Sequence, residues 1–167
     1  EEDTRLGGQR PGDIAALLAT LDLQATTVIA TREAPRQFDK RAPLFRRYRR
    51  STNNAFKVFT DAARALEQVR AMSGPPVITL GALTKRLASA SRGFQKVKAP
   101  EELAPQHAII SNAWELAQNA FTMRVQAGSS NSIDIAQRAS SAAAGALMLY
   151  QQARSEQLTA MEPPGGK

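Results

Sequence analysis

The residues whose type and spacing promise chemistry are cations: Arg46, Arg47, Arg49, Arg50, Lys57 and Arg64. They belong to a stretch, Arg36 to Arg70, that holds ten basic residues against three acids (Asp39, Asp61 and Glu67). That surplus equals the +7 net charge of the chain, because the other 12 basic residues are offset by 12 acidic ones. Eight of the ten are arginines, whose planar guanidinium makes paired hydrogen bonds to a carboxylate or phosphate. A concentrated positive surface is a statement about anionic partners: phosphate, anionic lipid or an acidic protein face. The plain alternative is a solvated face that keeps the domain soluble.

The rest of the inventory gives catalysis no foothold, and no catalytic residue is assigned. A nucleophilic triad needs a base beside serine or cysteine, and the chain has one histidine, His107, and no cysteine. A bundle di-iron site needs two Glu-x-x-His repeats, and structural zinc needs several cysteine or histidine ligands, so no metal site is assigned either. Gly7-Gly8 and Gly165-Gly166 lack the strand context of a phosphate loop. No cofactor is expected. The one candidate ligand is His107, paired with a methionine (Met72, Met123, Met148 or Met161) on a haem or pigment. Against it stands a simpler role, a first-turn histidine whose ring packs or bonds a neighbouring backbone group. Glu115 reads as a solvated acid, and Trp114 and Tyr150 as core or interhelix residues before partner anchors.

The elements that position these residues are helices. With 167 residues, 43% of them hydrophobic and 5% aromatic, the chain has the material for one globular domain with a small-residue core. A first helix is expected after Pro11-Gly12, capped by Asp13, with Ile14, Leu17, Leu18, Leu21, Ala25, Val28 and Ile29 on one buried face and a stop before Pro35. A second is expected from Pro43 to about Ala71. Its arc of Leu44, Phe45, Tyr48, Ala55, Phe56, Phe59, Ala62, Ala63, Leu66 and Val69 lies opposite Arg46, Arg50, Lys57 and Arg64.

Ser73-Gly74-Pro75-Pro76 separates that helix from a third over 78–97, striped by Leu80, Leu83, Leu87, Ala90, Phe94 and Val97. A fourth starts at Pro100-Glu101-Glu102 and ends at Gly128, and a fifth, capped by Ser132 with Asn131, runs to about Met161. The inward positions of the last are small, Ala136, Ala139, Ala143 and Ala146, which allows close helix approach. The longest uninterrupted apolar run is nine residues, Ala142 to Tyr150, short of the ~20 a membrane span needs, so none is expected. The expected fold is all-α: an up-and-down antiparallel bundle of four to five helices over residues 13–161, with an extended arm over 1–12 and a Pro/Gly tail over 162–167.

Helices three to five resemble a pattern seen in exported bacterial lipoproteins and secreted helical-bundle domains of unassigned function. The residues that carry it are Leu87 to Val97, then Ala99-Pro100-Glu101-Glu102-Leu103, then His107-Ala108-Ile109-Ile110, and the small-residue stretch Ala139 to Tyr150. The resemblance covers about the last 90 residues, and Pro-Glu-Glu at a helix start is generic helix chemistry. It implies an extracytoplasmic bundle, periplasmic or secreted, at or near a membrane. It transfers no catalytic residue, and the chain lacks a lipidation cysteine. The start at Glu1-Glu2-Asp3 is compatible with a processed product.

The expected function is therefore a non-enzymatic accessory or adaptor subunit. It docks through the basic helix and the extended termini onto a membrane-associated protein complex, with an anionic lipid surface as a further partner and no small-molecule substrate. Two competing classes are a soluble basic bundle that binds nucleic acid without sequence preference and a haem or pigment carrier built on His107.

Overall fold

The computed structural model describes the backbone of residues 10–73 and 77–164, and side chains over 14–73 and 79–164. Four α-helices follow one another: α1 (Arg10–Arg70), α2 (Val77–Gln95), α3 (Ala104–Ser130) and α4 (Ile133–Ala160). A single 3-10 turn, Glu101–Leu103, leads into α3, and no strand occurs among the described residues. This is the all-α bundle that the three-and-four spacing predicts.

The chain divides into two compact units. One is Pro43–Glu162, which holds the bundle; the other takes in the described residues ahead of Pro43 together with Pro163 and Pro164. Within the bundle, side-chain contacts fix the directions of the helices. Tyr48 meets Gln157 and, further along α1, Arg70 meets Ser140, so this part of α1 is antiparallel to α4. Phe56 meets Phe94 and Asp61 meets Arg86, so it is antiparallel to α2 as well. Tyr48 with His107, and Met72 with Arg124, make it parallel to α3. The path is up-down-up-down.

Two expectations about the first half of the chain are corrected. Separate helices over 13–34 and 43–71 were expected; α1 is one 61-residue helix that runs through Pro35 and Pro43. An interior proline removes one hydrogen bond and costs about 3 kcal/mol, but it biases the preceding residue rather than forbidding helix there. The flanking Arg32-Glu33-Ala34 and Arg36-Gln37 are strong helix formers that carry the pattern across. The second correction concerns the face expected to be buried. Ile14, Leu17, Leu18, Leu21, Val28 and Ile29 are all 50% or more exposed. Spacing defines a face; it does not supply what covers it. Of the expected N-terminal arm, residues 10–12 are helical and 1–9 lie outside the described residues, as do 165–167 of the tail.

Elsewhere the boundaries shift by a few residues. Pro100 precedes the 3-10 turn, and Pro105 occupies the first turn of α3, where its missing N–H is not needed. α3 runs two residues past Gly128 and is closed by Asn131 in the left-handed region at φ 49. Ser132 caps α4 by accepting from Ile135 N at 3.4 Å. The predicted small positions Ala136, Ala139, Ala143 and Ala146 are buried, with Ala113, Ala117 and Ala120 of α3 fully buried in the same core. Aromatic mass fills the rest. Phe59 stacks on Tyr150 at 3.9 Å and meets Trp114 edge-on at 5.2 Å.

Met72 sits in the left-handed region at φ 57 just past α1, where Ser73 N closes on Gln68 O at 3.0 Å. Met72→Gly is expected to raise unfolding stability by about 1 kcal/mol, because glycine carries no Cβ penalty there. Ala143→Leu is expected to lower it by about 1–3 kcal/mol by overpacking the α3–α4 seam. Chemical denaturation of the two variants checks both signs.

Candidate partner-binding interface

The bundle segment of α1 buries Phe45, Tyr48, Thr52, Ala55, Phe56, Phe59, Ala62, Leu66 and Val69. These residues step by three and four, so the opposite side of the helix must face water. That side carries Arg46, Arg50, Lys57 and Arg64; Arg47 and Arg49 flank it, and all of these are exposed. None of the six has an ion-pair partner among the described residues, where the recorded pairs are Glu67–Arg70, Asp61–Arg86 and Asp134–Arg138. Arg46, Arg49, Arg50 and Asn53 line one shallow recess. Arg47 lines a second with Tyr48, Ser51, Lys96 and Lys98. The sequence reading placed Leu44 on the core arc, but it is 54% exposed at the edge of that second recess.

Behind this face lies a buried polar chain that the sequence did not announce. Arg154 donates to Gln157 Oε1. Gln157, fully buried, donates from Nε2 to the Tyr48 hydroxyl oxygen at 3.0 Å. The phenolic proton is then free to be donated to His107 Nδ1, 2.9 Å away, which leaves a neutral imidazole protonated on Nε2. Burial pushes the His107 imidazole below its usual value and pushes the Tyr48 phenol up to about 12, so both stay neutral at pH 7. Burial also lowers Arg154, whose guanidinium lies over the Phe56 ring at 3.9 Å. Phe94 of α2 stacks on His107 at 4.2 Å, so all four helices meet at this cluster.

Inside the fold, His107 is held from two sides. Its ring packs on Phe94, as the simpler reading expects, but its bond is to a side chain on α1 rather than to neighbouring backbone. Nδ1 and one ring face are taken. No group of three metal-ligating side chains exists among the described residues. Trp114 is fully buried with no partner for its Nε1 among the described residues, a core residue rather than an anchor. Tyr150 is half-buried in the same aromatic layer, and Glu115 is exposed. The polar chain escaped sequence reading because Tyr48, His107 and Gln157 lie 59 and 109 residues apart. The only signal was Gln157 falling on the inward line of Ala139, Ala143, Ala146 and Ala153.

The exposed stripe ahead of the bundle is a second surface. The expectation of no membrane-spanning stretch is corrected here: an 18-residue window near the start of α1 reaches a mean hydropathy of 1.5 with none of it buried, long and apolar enough to cross a bilayer. The energetics of crossing are close to balanced. The seven Leu, Ile and Val residues over 14–31 each favour insertion by about 0.3–0.6 kcal/mol, while Asp22 near the middle opposes it by about 2.5–3.5 kcal/mol. These terms cancel before Gln24 is counted. Asp22 and Gln24 fall on either side of the apolar stripe, so a helix lying on a surface keeps both in water. The hydroxyls of Thr20, Thr26, Thr27 and Thr31 donate to carbonyls four residues back at 2.7–2.8 Å.

No family model, curated protein or solved structure matches this chain.

Tyr48→Phe is expected to cost about 1–3 kcal/mol by stranding the buried Gln157 amide and His107 Nδ1. Because the His107 value is lower in the folded chain than in the unfolded one, its contribution is complete above the ordinary histidine value of about 6.5 and is lost as pH falls below it. Thermal melts from pH 8 to pH 4 should show that loss, and His107→Gln should flatten the part of it that histidine causes.

Proposed function

We propose that this protein is a non-enzymatic adaptor that docks an acidic face of a membrane-associated protein assembly against the cationic side of α1. The observation that carries the reading is the set Arg46, Arg47, Arg49, Arg50, Lys57 and Arg64, all exposed and without an ion-pair partner among the described residues. Cations left unpaired on a folded helix keep their full capacity for an external anion. Arginine in particular offers forked donors to carboxylates.

The core supports this reading through orientation. Tyr48, locked by Gln157 and His107, fixes the rotation of α1 within the bundle. The cations on the far side are thereby presented as a fixed array rather than on a loop, and a pre-ordered array loses less entropy on binding. The aromatics that a single-strand nucleic-acid platform would display are instead in the core: Phe45, Tyr48, Phe56 and Phe59 are all buried.

Replacing Arg46, Arg47, Arg49 and Arg50 together with Gln is expected to leave the melting temperature of the bundle unchanged within a few degrees. The same replacement is expected to remove the protein subunits that co-purify stoichiometrically with wild-type chain from gently solubilised membranes. Retention of those subunits by the variant would sink the docking role of these arginines. Recovery of nucleic acid that high salt strips off would point instead to the nucleic-acid-binding bundle.

A further inference from the structure

We infer that the stretch of α1 ahead of the bundle is an in-plane membrane helix: Ile14, Leu17, Leu18, Leu21, Val28 and Ile29 enter the interface of an anionic bilayer, and Arg32, Arg36 and Lys40 engage its headgroups. The inference rests on the proposed function only in placing the protein at a membrane. It does not use the cations of the bundle.

Three observations lead to it. The apolar side chains, with Ala25 bridging Leu21 and Val28, form one stripe at spacings of three and four whose six bulky members are at least half exposed, with no charged residue among them; Leu23, also exposed, lies on the opposite side. The same line continues from Val28 and Ile29 through Arg32, Arg36 and Lys40, each three or four residues on and each exposed; Asp39, three residues past Arg36, falls on this line too, and Glu33 lies beside it. The rest of the helix surface is mostly alanine and threonine, and the threonine hydroxyls are already satisfied by their own helix. A helix with bulky aliphatics on one side, weakly polar small residues on the other and cations in series with the aliphatics suits the boundary between acyl chains and anionic headgroups.

Charge selects this occupant over a second copy of the chain. In a parallel self-pairing the line Arg32, Arg36 and Lys40 meets its own copy, cation against cation. In an antiparallel one it lies beside the bare aliphatic half. An anionic bilayer covers the aliphatics and pairs the cations at once.

The test is flotation of the full chain with vesicles of phosphatidylcholine alone and of phosphatidylcholine with about one third phosphatidylglycerol. Binding is expected to the anionic vesicles, weaker by about tenfold or more to the neutral ones, and to weaken with salt. The pair Leu18→Gln and Leu21→Gln should lower binding at least ~tenfold, whereas Ala16→Gln with Ala19→Gln, on the other side of the helix, should stay within about twofold. The bundle should melt at the same temperature in all variants, because the substituted positions lie outside Pro43–Glu162. The variant with Arg46, Arg47, Arg49 and Arg50 replaced by Gln should still bind vesicles through the stripe. Loss of docking and loss of lipid binding are therefore separable. Equal binding to neutral vesicles overturns the inference, as does undiminished binding by the Leu18/Leu21 variant. A dimer in solution that the Leu18/Leu21 variant converts to monomer, with no vesicle binding by either, also overturns it and assigns the stripe to a second copy.

Discussion

Burying the Tyr48 hydroxyl obliges the bundle to supply it with partners, and supplying them fixes how α1 is rotated. An unpaired buried hydroxyl costs about 1–3 kcal/mol, so the arrangement that satisfies Gln157, Tyr48 and His107 in one donor-to-acceptor series excludes neighbouring rotations of the helix. The surrounding residues enforce the same choice. Phe94 covers the imidazole, Phe56 carries the Arg154 guanidinium, and Thr52 spends its hydroxyl on the Tyr48 carbonyl at 2.9 Å. With Phe45, Phe59 and Leu66 turned inward in the same register, Arg46, Arg50, Lys57 and Arg64 have nowhere to go but outward. The core thus decides the geometry of the surface.

The chain assigns its two kinds of surface to different stretches. In the bundle, apolar residues are spent on the core and charge is left outside. Ahead of Pro43 the aliphatic stripe is itself outside, at least half exposed from Ile14 to Ile29. A stripe of that size on a water-facing helix is the kind of feature that marks an interaction surface. The proposals for the two stretches use different residues, and the second takes its membrane setting from the first, one reaching the membrane through protein contacts and one through lipid.

Local chemistry was readable from the sequence and distant chemistry was not. The wheel of residues 43–71 separated buried Phe45, Phe59 and Leu66 from exposed Arg46, Arg50 and Lys57, because a helix face is a property of spacing alone. Ser132 as a cap and the small seam at Ala139, Ala143 and Ala146 were legible for the same reason. Proline misleads: Pro35 reads as a stop and Pro43 as a fresh helix start, yet α1 passes through both, since helix-forming flanks outweigh a local bias. The stripe from Ile14 reads as core, because a sequence shows amphipathicity without showing what lies against it. The mean hydropathy over this stretch is high although no long uninterrupted apolar run exists, because Asp22 and Gln24 break it. The bond between Tyr48 and His107 had no local signature, as it joins residues 59 positions apart.

Site-specific photo-crosslinking in intact cells tests the central claim most directly. A photoreactive residue is placed at Asn53, which shares a recess with Arg46, Arg49 and Arg50, and in a second chain at Asn119, exposed on α3. The account predicts a discrete protein adduct from position 53 and none from 119. Adducts of equal yield from both positions, or crosslinks from 53 to nucleic acid alone, would contradict it.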